Sequence, residues 1–191
     1  MAHISIIGTG NVGQAISTLA AKGGNSVELI GHDDTDKRAT GDVVVLAVPY
    51  PAVDDIVSSR GDQLAGKIVV DITNPLDFET FDSLTVPADS SAAAEIAAKL
   101  PDSRVIKAFN TTFAGTLSDG TVGPLTTTVL VAGDDADAKA TLIGIVTAGG
   151  LKAVDAGPLK RAREMEALGF LQISLAAGEK ISWTGGFGIV A

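Results

Sequence analysis

Residues 3–23, HISIIGTGNVGQAISTLAAKG, decide the fold. A short β-branched run (HISII) is followed at once by Gly8-Thr9-Gly10-Asn11-Val12-Gly13 and then by an Ala-rich amphipathic segment. That is strand, G-x-G-x-x-G turn and helix in immediate succession. The glycines allow a tight turn, close backbone approach to a ligand and close helix–strand packing, and the helix N-terminus faces bound phosphate. An ordinary glycine turn is the rival reading in a chain with 22 glycines. Placement at the first strand–helix junction favours a dinucleotide pyrophosphate on these residues.

Working outward, β-branched runs alternate with helical patterns. Strands are expected at 3–7, 26–31, 42–48, 67–72, 104–108, 127–132 and 151–154, and helices at 11–22, 50–59, 90–99, 134–148 and 158–180. Strands apolar on both faces and separated by helices imply a Rossmann-type α/β fold, a parallel sheet with helices on both faces and a short C-terminal helical segment. About ten residues, HDDTDKRATG, separate the second strand from DVVVLAV. A crossover helix needs more chain than that, so the adenine side of the site is expected to be trimmed. The whole chain, 1–191, reads as one dinucleotide-binding domain. Residues 158–191 form its helix and tail, where Leu159, Ala162, Met165, Leu168, Leu171 and Leu175 make a broad apolar face expected at a homodimer interface.

Composition narrows the chemistry. Hydrophobic residues make up 46% and charged residues 19%, enough for a buried core. A net charge of −9 disfavours nucleic acid as partner. Cysteine is absent and histidine occurs only at His3 and His32, which leaves little for thiolate, zinc or Ser-His-Asp chemistry and fits a cytoplasmic, reducing setting. With strand 3–7 at the start, no secretion signal is expected, and no run suits a membrane span. A borrowed cofactor is expected to carry the reaction, with a small redox molecule as partner. No metal ligands and no catalytic acid or base are assigned.

The choice between NADP and NAD turns on the end of the second strand. Gly31 and His32 stand where a carboxylate would bind a ribose 2′-hydroxyl, leaving room for a 2′-phosphate near His32, Lys37, Arg38 and the Thr9 hydroxyl. Asp33 and Asp34 argue the other way. NADP is favoured, with NAD the alternative, and His32 could equally be a solvated turn residue.

The ordered set GTGNVG, AVPYPAV, VVDITNPL, KAFNT, VLVAGDD, DAGPLKRARE and GGFGIV resembles the F420-dependent NADP reductase family over nearly the full length; related domains occur in six-transmembrane metalloreductases. The resemblance implies a dimeric Rossmann enzyme that transfers hydride between NADP(H) and coenzyme F420, a flavin-like acceptor or a metal. It implies that Thr9 to Val12 wrap the pyrophosphate. Family members often carry Ser-Arg where this chain has Gly31-His32, and that pair grips the 2′-phosphate. Ala47-Val48-Pro49-Tyr50 and Thr73-Asn74-Pro75 end strands where such sheets bind ligands, though a helix start at Pro49 and a plain turn at Asn74-Pro75 are simpler readings. Phe109, Asn110 and Thr111 are placed by the resemblance beside the nicotinamide and acceptor, and Val131-Ala132-Gly133 beneath the acceptor ring. Asp134 or Asp135 is expected to cap the next helix. Lys160, Arg161 and Arg163 are either a solvated face or a contact for an anionic tail. Trp183 in its glycine-rich tail suits a flap over a planar ring or a frayed terminus. An NADP(H)-binding sensor without turnover is the competing function.

Overall fold

Val and Ile fill both faces of the central strands, and such segments are stable only when helices cover the sheet on each side. The computed structural model describes residues 1–190. Strands β1 (His3–Ile7), β2 (Ser26–Ile30), β3 (Val43–Leu46), β4 (Ile68–Asp71) and β5 (Arg104–Ala108) run parallel in the order β2-β1-β3-β4-β5. A hairpin of β6 (Thr121–Val122) and β7 (Leu125–Thr126) stands apart. β8 (Thr128–Gly133) and β9 (Lys152–Gly157) extend the sheet beyond β5.

Helices α1 (Asn11–Lys22), α2 (Val53–Leu64), α3 (Ala92–Lys99), α4 (Ala114–Asp119), α5 (Ala136–Ala148) and α6 (Ala162–Ala177) pack on the two faces. Along β3, Val43 and Val45 join the core beneath α1, α4 and α5, while Val44 and Leu46 join the core beneath α2 and α3. One strand thus serves two cores through its two-residue period. Asp135 accepts from the Ala138 N–H at 2.7 Å and caps α5, as expected, and Asp134 accepts from the Leu159 N–H.

The sheet departs from the expected parallel form at one place: β8 is antiparallel to β5, and β9 is parallel to β8. The cause lies in the connection. A parallel return needs a helix that crosses the sheet, and α4 has only six residues. The chain turns through α4 and the hairpin and re-enters from the edge it has just left. Neither element was expected from sequence. The predicted helices at 50–59 and 158–180 begin instead as 3-10 turns, Tyr50–Ala52 and Leu159–Arg161, because each follows a proline that opens the segment in an extended conformation.

Residues 31–42 contain no helix, consistent with the trimmed crossover. Side chains hold this loop by its carbonyls: the Lys67 ammonium donates to Ala39 and Gly41, and the Arg60 guanidinium donates to Asp34 and Lys37.

Beneath the carboxyl ends of β4 and β5 lies a sealed ionic cluster. Lys107, Asp71 and Glu166 are 0%, 0% and 1% exposed. The Lys107 ammonium meets Asp71 and Glu166 at 2.8 Å each and donates to the Thr73 carbonyl. Glu166, from α6, also accepts from the Ala92 and Ala93 N–H groups at the start of α3. Burial raises its carboxyl above the ordinary range, against the pull of Lys107 and of the Ala92 N–H. One carboxylate therefore joins α6, α3 and β5. Removing a partner from such a cluster strands a buried charge. Glu166→Ala is expected to lower stability by about 3–5 kcal/mol, with Glu166→Gln losing less, as read from urea unfolding midpoints.

Candidate functional site

The turn after β1 is built from backbone approaches that exclude side chains. Gly8 has φ +114°, and a Cβ there would stand 2.0 Å from the Ala47 carbonyl oxygen at the end of β3. A Cβ on Gly13 would stand 2.4 Å from the Gly8 carbonyl oxygen. Gly10 differs: nothing lies within 4 Å of its would-be Cβ. It is also the N-cap of α1 and offers no side-chain cap. The first N–H groups of a helix have no partners within the helix, so α1 presents uncapped donors and the positive end of its dipole to an open space. An anionic group fits that cradle.

The cradle opens on a cavity of about 530 Å³ between the ends of β1, β2 and β3 and helix α2. Of the residues expected from sequence, Gly8, Thr9, Gly10, Gly31, His32, Ala47, Val48 and Pro49 line it. Asn11, Val12 and Gly13 form the first turn of α1 directly behind. Tyr50 turns away, its hydroxyl donating to Glu95 of α3, and burial together with the Glu95 carboxylate raises its pKa. Lys37 and Arg38 do not line the cavity: Lys37 donates to the Leu29 carbonyl, and Arg38 faces Asp62 at 3.8 Å.

One wall escaped the sequence reading. Ala52, Asp55, Ile56, Ser59, Arg60 and Gln63 form one face of the 3-10 turn and α2, with Thr35 opposite. Their spacing of three and four residues is helical. The short 31–42 connection was the available signal, since a missing crossover helix leaves this face uncovered.

A second group forms at the ends of β4 and β5. The Asn74 side chain donates to the Asn110 carbonyl at 2.9 Å, and the Asn110 amide donates to Asn74 Oδ1 and to the Met165 carbonyl of α6. Gly169 lets α6 approach, since a Cβ there would stand 2.3 Å from Asn74 Oδ1. Gln172 donates to the Thr111 carbonyl, and Pro75 leads out through a carbonyl that accepts from Thr85. Two buried polar atoms in this group, Thr73 Oγ1 and Asn110 Oδ1, lack partners. Buried polar atoms are normally satisfied, so an orphaned hydroxyl and amide oxygen at strand ends suit a ligand with both donor and acceptor.

Three expected residues fall outside both groups. Phe109 is 1% exposed with its ring in the core, and its φ of +62° reverses the chain so that Asn110 faces α6. Ala132 is fully buried opposite Lys107, and antiparallel β8 runs away from the carboxyl ends of β1, β3, β4 and β5. Trp183 is 51% exposed and stacks at 54° on Phe113, ring centres 5.0 Å apart. The Lys160, Arg161 and Arg163 group follows Leu159, which is bonded to Asp134 beyond β8, and Arg161 pairs with Glu164 at 3.2 Å. None of the three lines the cavity.

Comparison with known proteins gives this arrangement its relatives. The profile of the family NADP oxidoreductase coenzyme F420-dependent matches residues 29–75, the stretch from β2 through Pro75. An F420-dependent NADP reductase of Methanocaldococcus jannaschii is 33% identical over 166 residues, covering 85% of this chain and 74% of that protein. Metalloreductase STEAP3 of Rattus norvegicus is 32% identical over 182 residues, covering 86% of this chain but only 36% of its own length. The crystal structure of a candidate F420-dependent NADP reductase from Arthrobacter sp. FB24 superposes over 100% of both chains with a TM-score of 0.86 at 25% identity. The chain belongs to the F420-dependent NADP reductase family.

Proposed function

We propose that this chain is an oxidoreductase that binds NADP(H) across the carboxyl ends of the parallel strands and exchanges hydride with coenzyme F420. The observation that carries this reading is the uncapped start of α1, folded over Gly8 and Gly13 and opening on the cavity. When bound, the nicotinamide supplies two electrons and a proton as hydride, and the deazaflavin takes them up. The chain's own residues bind and orient. The N–H groups of α1 hold the pyrophosphate, Gly31, His32 and the α2 face hold the adenosine, and Thr73 and Asn110 offer the orphaned oxygens to the nicotinamide end.

Direct transfer between two bound cofactors needs proximity and exclusion of water more than proton transfer by side chains. Thr73, Asn110 and Thr111 are buried polar groups that do not titrate, in keeping with that demand. The names of the relatives support F420 as acceptor; flavin and NAD draw no support from them. The absence of cysteine supports a reducing cytoplasm, and Leu171, half-exposed on α6, supports a second copy of the chain over that helix.

Mixing the protein with NADPH deuterated on the transferable position and with oxidised F420 is expected to bleach the deazaflavin and move deuterium onto it. Tight dinucleotide binding with no oxidation by F420 or any flavin would leave a binding module without turnover. A second outcome separates folding from binding. Gly10→Ala is expected to keep the melting temperature of the parent, because its Cβ enters open space, and to weaken NADP(H) binding at least tenfold by closing the phosphate's approach, as read by calorimetry. Gly8→Ala is expected to fail at folding, which circular dichroism reads directly.

A further inference from the structure

Arg60 presents a cation to the adenosine end of the cavity without a carboxylate to neutralise it. Its guanidinium donates to two main-chain carbonyls, Lys37 and, at 2.9 Å, Asp34, and among the described residues it forms no ion pair. A guanidinium has five N–H donors, so donors remain free. The two carbonyls hold the group in place without cancelling its charge. Ser59 shares the wall, its hydroxyl donating to the Asp55 carbonyl at 2.6 Å, and Thr35 and His32 line the cavity across from it. Of the neighbouring cations, Lys37 and Arg38 do not line the cavity, and Arg38 faces Asp62 at 3.8 Å.

Arg60 is anchored on the 34–37 loop after β2 and not on the α1 turn that suits a pyrophosphate. The end of β2 is where a Rossmann sheet reads the adenosine ribose. The usual carboxylate for a free 2′-hydroxyl has a counterpart in Asp34, but its Oδ2 is taken by the Gly31 N–H at 2.8 Å and it does not line the cavity. Asp55 does line it and opposes an anion. A guanidinium held in place outweighs one exposed carboxylate, because charge-assisted bonds from a fork of donors to phosphate are the stronger contacts.

We propose that Arg60, reaching in from α2, is the residue that selects the 2′-phosphate in this chain, with Ser59, Thr35 and His32 around it. The task moves from the β2 loop to α2 because the trimmed connection at 31–42 uncovers that helix. The inference rests on the NADP(H) reading above.

Calorimetric dissociation constants test it on two ligand pairs: NADP⁺ against NAD⁺, and adenosine 2′,5′-bisphosphate against adenosine 5′-monophosphate. The second pair carries no nicotinamide and isolates the subsite. The parent protein is expected to bind the 2′-phosphorylated member of each pair about tenfold or more tightly, and Arg60→Gln to erase most of that preference. Arg60 also pins the 34–37 loop, so Ser59→Glu serves as a second variant; it adds a carboxylate on an exposed helical position of the same wall and is expected to reduce the ratio likewise. Asp34→Asn is expected to leave the ratio intact or raise it. Equal weakening of both members by Arg60→Gln, or an unchanged ratio in Ser59→Glu, would overturn the assignment. So would a parent protein that binds NAD⁺ as tightly as NADP⁺. Loss of the underlying reading would look different, since the parent would then bind neither dinucleotide.

Discussion

The contact on which the site depends is between main chains. Gly8, Gly13 and Ala47 meet where β1, α1 and β3 converge, at separations that leave no room for a Cβ on either glycine. Because α1 cannot stand further from the sheet, its first turn lies over the ends of the strands and its unpaired N–H groups point where those ends open. The Gly8 N–H bonds to the Ile30 carbonyl, which ties the same turn to β2. Three strand ends are thereby fixed around one helix terminus, and the cavity follows from that geometry.

The second half of the site depends on charge instead of glycine. Asn74 and Asn110 end neighbouring strands, and their mutual bonds are closed over by α6 through Met165 and Gly169. What brings α6 to that position is Glu166, one residue after Met165, anchored on Lys107 and the start of α3. A buried ion pair adds little net stability over an apolar substitute, but it is intolerant of other arrangements. Its contribution here is register: it sets which turn of α6 meets which strand end. The two halves thus use different devices for the same requirement, that polar groups at strand ends be held still.

Much of this was legible in the sequence for physical reasons. The β1–α1 unit is a local pattern, so strand, turn and helix could be read from adjacent residues, and Gly8, Thr9 and Gly10 of the cavity followed from it; Gly31, His32, Ala47, Val48 and Pro49 came from the ends of the next two strands. The short 31–42 connection was readable as a missing helix. Strand direction was not readable, since the apolar run TTVLVA is the same whichever way it is threaded; only the six-residue α4 and the hairpin decide it, and neither has a strong periodic signal. Ala132 entered the expected site through the family resemblance, and the structure buries it opposite Lys107. Phe109 was misplaced because a left-handed φ at a bulky residue is imposed by tertiary packing. The buried cluster did leave a trace: Lys107 within RVIKA and Asp71 within VVDI are charges in strands buried on both faces, where each needs a partner. The third member, Glu166, lay among the charges of KRAREME and could be singled out only in three dimensions.

The cluster also bears on why no side chain is needed as acid or base. Lys107, Asp71 and Glu166 are the ionisable groups packed under the strand ends near Thr73 and Asn110, and all are sealed from solvent with their donors and acceptors engaged. The group is consequently a poor relay and a good brace. The polar groups that stand with it at the strand ends are the Thr73 hydroxyl and the Asn110 amide, which can orient a ring but not exchange protons with it at neutral pH. A site with its charges locked below and neutral dipoles above suits a reaction in which hydride passes between two bound rings, and it is poorly suited to hydrolysis or to proton abstraction from carbon.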